Sequence, residues 1–341
     1  MMSMPKVSVL IPCYNTAETL DETLESVISQ TYTDFELVLV DDGSQDGTAD
    51  SIKRWAEEHP QIKALMTEHS GIIPSLNEGL EHCVGEYVAR MDADDLMYPE
   101  RLAKQAAYLD QHPETTLVCT NVRGFPEDEL REGFRLYIEW LNSLESFEDI
   151  QREMFVESPI CHPSVMFRKE AVLSLGGYQE QGWAEDYDLW LRMIQAGMKL
   201  DKLSETLLDW RDTAERLTRT DSRYSLQNFL RAKAHYLVRG PLVGREEVII
   251  WGSGMHGKRI AKLLLKDEVP IMVFVDIDSK KIGNTRQGKP IIAREDLPKY
   301  WEELKNPIVL SAVGSRGARK LIREFLNTKG FLEGEDYLCV M

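Results

Sequence analysis

The chain has 341 residues, 43% of them apolar, with a formal net charge of -17 and an isoelectric point near 5.0. That length allows two domains with real cores. So acidic a chain argues against nonspecific binding to nucleic acid and against docking by simple charge onto anionic lipid, but an anionic substrate is still admissible where a metal and a few arginines reverse the local field.

In chain order, the first half alternates strand and helix signals. Val7–Ile11 is a buried strand, and Thr16–Gln30 a helix with Leu20, Leu24, Val27 and Ile28 at helical spacing. Phe35–Val40, Ile62–Met66 and Tyr87–Met91 are further strands, with helices at Thr48–Glu58 and Ile73–Cys83 between them. This repeat predicts an α/β fold with a mostly parallel sheet covered by helices. The segment from Arg123 to Glu157 follows; Phe134, Tyr137 and Trp140 share a helix face there, which ordinary amphipathic packing explains better than a sugar platform. Cys161–Arg168 reads as a return strand, Gly176-Gly177-Tyr178 as a turn, and Ala184–Arg192 as the opening of a helix.

Near residue 245 the pattern restarts. Glu247–Trp251 is a strand, Gly252-Ser253-Gly254-Met255-His256-Gly257 a glycine-rich turn, Lys258–Lys266 a helix, and Ile271–Val275 a strand ending in Asp276. The expected domains are 1–240 and 245–341, divided around Gly240-Pro241. Cys13, Cys83, Cys119, Cys161 and Cys339 are odd in number, widely spaced and form no C-x-x-C. They argue against a disulfide framework or zinc site and fit a reducing cytosol. Val7–Ile11 is too short for a signal-peptide core and nothing approaches a membrane span, so no integral membrane segment is expected.

Ligand crevices in such sheets lie at the carboxyl ends of the strands. Three polar groups fall there: Pro12-Cys13-Tyr14-Asn15, Asp41-Asp42-Gly43-Ser44, and Asp92-Ala93-Asp94-Asp95. The last places three carboxylates within four positions. They repel unless a cation intervenes, and hard oxygen ligands suit Mg2+ or Mn2+. Alternation would put Asp92 and Asp94 on one side of an extended backbone. Alone, such a cluster reads equally as a solvated acidic turn; three acid-bearing or polar loops at one sheet edge favour the functional reading.

Val7–Asn15, Val40–Ser44, Met91–Asp95 and Glu185-Asp186-Tyr187-Asp188-Leu189-Trp190, in that order, resemble family 2 glycosyltransferases of the GT-A fold over about the first 220 residues. The resemblance implies inverting transfer of a sugar from a nucleotide-diphosphate donor, most often UDP-linked, to a hydroxyl of a glycan, lipid-linked or small-molecule acceptor. Cell-surface glycan biosynthesis from the cytoplasmic side, with peripheral association at the inner face of the membrane admissible, is the setting it suggests. It places Pro12, Tyr14 and Asn15 in the nucleotide pocket, with Tyr14 stacking on the base and Asp41 accepting a base N–H. Asp92 would sit by the ribose and the metal, and Asp94 would ligate Mn2+ or Mg2+ directly. Asp186 matches the catalytic base. Arg90 would pair with the acidic cluster or touch the donor. Asp188, two helical positions past Asp186, should point away from it and reads as a solvated or capping carboxylate. His162 reads as an acceptor contact or a satisfied buried histidine.

Two departures matter. Related chains frequently carry a histidine near Asp209–Thr213 that helps hold metal or diphosphate, and this chain has Thr213; Arg211, Arg216 and Arg219 are candidate replacements as phosphate contacts. The Q-x-x-R-W signature of processive synthases is absent, which points to single additions. In the second domain, similar to the small Rossmann-like domains of some sugar-modifying enzymes, Gly252, Gly254, Gly257 and Asp276 carry a dinucleotide-type pattern, and a second glycine turn runs Val313–Arg319. These glycines either cradle a nucleotide or merely allow close strand–helix packing. Competing functions are a non-catalytic nucleotide-sugar-binding protein, which would not need Asp186, and an NAD-dependent oxidoreductase resting on the second domain alone.

Overall fold

The computed structural model describes residues 4–214 and 216–341, which form two compact units. The first comprises residues up to 150 together with 159–220; the second comprises 151–158 together with 221–341. The helix Leu226–Arg239 groups with the second unit.

The first unit is one eight-stranded sheet. Its strands are β1 (Val7–Cys13), β2 (Phe35–Asp41), β3 (Ile62–Met66), β4 (Tyr87–Arg90), β5 (Leu96–Met97), β6 (Thr115–Phe125), β7 (Met166–Arg168) and β8 (Lys199–Arg211), in the order β3-β2-β1-β4-β7-β6-β8-β5. β1 pairs in parallel with β2 and β4, and β2 with β3. All seven residues of β1 are buried, as expected of a central strand covered on both faces. Only β7 and β5 run antiparallel to their neighbours. The register sets Cys13 beside Asp41, so the loops after β1 and β2 leave the sheet at one edge.

Two local expectations change and one holds. The first helix begins at Leu20 rather than Thr16, because Thr16–Thr19 form a turn whose carbonyls accept the first helical N–H groups. Cys161–Arg168 is not one strand: His162-Pro163-Ser164 make a buried single turn before β7, since proline has no N–H for a ladder. Phe134, Tyr137 and Trp140 lie on the helix Glu132–Asn142 and pack against the core, as amphipathic packing predicts.

The second unit holds β9 (Glu247–Trp251), β10 (Ile271–Asp276), β11 (Thr285–Arg286), β12 (Lys289–Ala293), β13 (Pro307–Ser311) and β14 (Tyr337–Cys339), ordered β11-β12-β10-β9-β13-β14. Apart from the β11–β12 hairpin the pairs are parallel, and the strand order reverses beside β9. A buried lysine gathers this unit: Lys233 Nζ donates to the carbonyls of Val156 at 2.8 Å and Val340 at 3.3 Å, and burial lowers its pKa to about 8. All five cysteines are free and buried. Among the described residues, no helix is long and apolar enough to cross a membrane.

Candidate active site

The two aspartates that end β2 have different fates. Asp42 is buried and fully engaged. Its carboxylate accepts from Ser70 N at 2.8 Å and Gly71 N at 2.9 Å, and lies 2.9 Å from His69 Nδ1, so it clamps the loop after β3. Asp41 accepts only a long bond from Ser44 N, 3.3 Å, on Oδ2, and its buried Oδ1 has no partner. An unsatisfied buried carboxylate oxygen is costly, and this one waits for a donor.

Tyr14 caps the end of β1 and is 44% exposed, with its ring stacked on His69 at 4.2 Å between centroids. Gly43 permits that approach: its φ is +71°, and a Cβ there would fall 2.7 Å from His69 N. Pro12 is buried beside Val40. Asn15, at φ 52°, spends its side-chain oxygen on Gln45 N at 2.9 Å and so ties the first two loops together.

The third loop gathers the acids. Asp92, Asp94 and Asp95 each present an oxygen within 4.8 Å of the others. Strand alternation does not do this, because β4 stops at Arg90 and a turn at Ala93–Asp94 folds the carboxylates together. Thr19 and Thr23 hydroxyls hold the turn by donating to Ala93 O at 3.0 and 3.1 Å. Burial, then repulsion from Asp92, pushes Asp94 up to about 6 against the pull of Arg216, Arg211 and Arg90. Burial, then Asp94 and Asp92, raise Asp95 well above the usual carboxylate value, and its Oδ2 has no partner. A carboxylate set with this much mutual repulsion fits a hard divalent cation.

Arg90, Arg211 and Arg216 act on the acids. Arg90 is buried and meets Asp92 at 2.5 Å, while its Nε and one terminal nitrogen are unpartnered. Arg211 is not free for a phosphate: Nε donates to Asp94 O at 2.6 Å, a terminal nitrogen meets Glu22 at 2.6 Å, and the guanidinium lies over Phe125. Its backbone N–H also donates to Asp95 Oδ1 at 2.9 Å. Arg219 pairs with Asp212 at 2.5 Å. Arg216 differs, being held between the Phe134 and Trp210 rings at 4.4 and 4.3 Å, with one bond to Arg211 O and its charge felt by both Asp94 and Asp95.

Asp186 stands in the first turn of the helix Glu185–Gln195, where the helix dipole favours an anion, and its Oδ1 accepts from Tyr187 N at 2.7 Å. Burial, then the adjacent Glu185, pushes it up to about 7, and Arg90 pulls the other way. Asp188 does point elsewhere but is not solvated: it is fully buried and accepts from Trp183 Nε1 at 2.8 Å and Arg192 Nε at 2.7 Å. Arg192 also donates to Leu175 O and Gly177 O, so this pair fixes the helix against the glycine turn. His162 is a satisfied buried histidine, 2.9 Å from Tyr178 Oη through Nε2; burial, then Arg90, holds its pKa well below the usual value.

His69 escaped the sequence reading. The available signal for His69 was its place after β3, at the same sheet edge as the other loops.

In the second unit, Asp276 has both oxygens occupied. Ser253 N and Oγ and Lys281 Nζ donate to Oδ2, and Ile277 N and Asp278 N to Oδ1. Burial alone would raise its pKa; these donors hold it at about 2. Gly252 has φ +109°, and a Cβ on Gly257 would fall 1.7 Å from Gly252 O, so close packing accounts for both. Only Gly254 faces open space.

Solved structures agree on the fold: S. aureus TarS 1–349 in complex with UDP-GlcNAc aligns with a TM-score of 0.53 at 19% identity, over 76% of this chain and 71% of that one. The first unit is thus a GT-A fold. A family profile for Glycosyl transferase family 2 matches residues 8–176, and one described as C2185-like, N-terminal, matches 244–304. EpsE of Bacillus subtilis (strain 168), named as a glycosyltransferase, is 34% identical over 84% of this chain and 98% of its own length. The amylovoran biosynthesis glycosyltransferase AmsE of Erwinia amylovora is 37% identical over 59% and 74%. The chain belongs to glycosyl transferase family 2 and is a glycosyltransferase.

Proposed function

We propose that the chain moves a sugar from a UDP-sugar to a hydroxyl acceptor, with inversion at the anomeric carbon, in the biosynthesis of a cell-surface polysaccharide. The amylovoran role in the name of AmsE and the UDP-GlcNAc bound to TarS support that setting and that donor class. The observation that carries the reading is the pair of unmet acidic needs at one sheet edge: the orphaned oxygen of Asp41 and the mutually repelling Asp92, Asp94 and Asp95.

Asp41 Oδ1 accepts an N–H of the base, and Tyr14, backed by His69 and bordered by Pro12, stacks on it. Asp92 and Asp94, with Asp95 adjoining, would hold a Mn2+ or Mg2+ ion, which would supply positive charge to neutralise the diphosphate. Arg216 supplies a further cation for the diphosphate where Thr213 stands in place of a histidine. Arg90 keeps Asp92 in place and spreads positive potential toward Asp186. The acceptor O–H gives its proton to Asp186 as its oxygen bonds to the anomeric carbon and the bond from that carbon to the diphosphate oxygen breaks, releasing UDP. A sugar hydroxyl is too weak an acid to ionise beforehand, so this proton must leave as the new bond forms.

Thermal unfolding with UDP, GDP, dTDP or NAD, with and without Mn2+, tests the donor site by mass action. UDP should raise the melting temperature only with Mn2+, and Asp94→Asn should remove the effect. A response to NAD alone, indifferent to Asp94→Asn, would sink the reading.

A further inference from the structure

The acidic total conceals a division. Residues 1–220 hold 42 acidic and 19 basic side chains, whereas residues 221–341 hold 15 acidic and 21 basic. Part of that basic surplus is gathered on the helix Met255–Lys266. Ile260, Ala261 and Leu264 form its buried stripe, and helical spacing turns Lys258, Arg259, Lys262 and Lys266 outward, where all four are exposed. With Gln227, Met255 and Leu263 these four line a shallow depression of about 340 Å³.

Among the described residues none of the four forms an ion pair, although exposed lysines elsewhere do, as Lys53 does with Asp50 and Lys305 with Glu246. Lys258 with Lys262, and Lys262 with Lys266, are like charges one turn apart, an arrangement that destabilises an isolated helix by about 0.2–0.5 kcal/mol per pair. An anionic partner relieves that repulsion. Met255, 59% exposed at the head of the same face, adds an apolar contact that a purely ionic partner would not use. No aromatic side chain lines the depression, so nothing there stacks on a nucleotide base. Cations on flexible stems beside an exposed apolar residue on one helix face suit a lipid headgroup layer.

We propose that this face docks the protein on a bilayer rich in anionic phospholipid, with headgroup phosphates against Lys258, Arg259, Lys262 and Lys266 and Met255 at the acyl boundary. The acidic character that argues against such docking belongs to residues 1–220.

The test is co-sedimentation of the full chain with phosphatidylcholine vesicles and with vesicles holding phosphatidylglycerol as about a third of the lipid. Binding should require phosphatidylglycerol, weaken with added salt, and fall about fivefold for each cation removed in Lys258→Gln, Arg259→Gln, Lys262→Gln and Lys266→Gln combined. Thermal unfolding checks that the variant folds, and Lys262→Glu alone should give a smaller loss in the same direction. A control pair, Lys299→Gln with Lys320→Gln, should bind as the wild type. No phosphatidylglycerol-dependent binding at low salt, an equal loss in the control pair, or retention by polyuridylate RNA without vesicle binding would each overturn the proposal.

Discussion

Asp41 and Asp276 occupy the same station in two sheets. Each ends a strand that pairs in parallel with the first strand of its unit, beside a loop leading into a helix. Asp41 keeps a buried oxygen without a partner, whereas Asp276 receives five donors from its own and the neighbouring loop. The two positions at the carboxyl edge therefore differ in hydrogen-bonding capacity left unmet. The same contrast separates the glycines. Gly257 is fixed by a backbone oxygen that any Cβ would strike, while Gly254 borders open space.

The sharpest break in that contrast comes from the first unit's chemistry. Asp186→Asn should lower transfer by about 10²–10⁴-fold, the usual worth of a general base, while UDP still raises the melting temperature. In the wild type, transfer should rise with pH through about 7 and level off above, because burial and Glu185 hold the proton on Asp186 until then. The stability term has the opposite sense: the folded state binds that proton more tightly, so stability falls as pH rises from the usual carboxylate range toward about 7. A rate that declines through pH 7 would remove Asp186 as the base.

Gly257→Ala should cost about 3 kcal/mol in denaturant unfolding, since the contact it makes is with backbone rather than a movable side chain. Asp276→Asn should cost about 1–3 kcal/mol by the same measurement and leave UDP binding alone. Its carboxylate is held at about 2, below the usual value, so its contribution is full above the ordinary carboxylate pKa and is lost as pH falls toward about 2. Asp41→Asn reverses the pattern: the melting temperature should hold or rise, because a buried charge disappears, while UDP affinity drops about tenfold, the worth of one hydrogen bond. Gly254→Ala should change stability by less than about 0.5 kcal/mol and alter no ligand response. A nucleotide-dependent melting shift in the wild type that Gly254→Ala abolishes would turn the second unit from scaffold into binding site.

The local grammar was open to reading. Runs such as Val7–Ile11 and Phe35–Val40 are apolar enough for central parallel strands, and Asp41 and Asp42 follow the second directly. That placed Asp41, Asp92 and Asp94 at one edge, since parallel strands deliver their carboxyl ends together. Asp188 shows where this stops. Helical spacing correctly turns it from Asp186, but spacing does not reveal that the other side is interior, where Trp183 and Arg192 meet it.

Arg211 shows the same limit over a longer range. Its sequence marks a cation near the diphosphate, but the pairing of β5 with β8 brings it to Asp94 and Glu22, which consume it. Arg216, three residues past Thr213, is left as the available cation because Phe134 and Trp210 hold it by their ring faces. Sequence by itself determined which residue types stand at which strand ends, because strand and helix periodicity are local. Which carboxylates are spent internally and which stay unmet was decided by tertiary structure, because each hydrogen-bond partner comes from a loop or strand that only folding brings near.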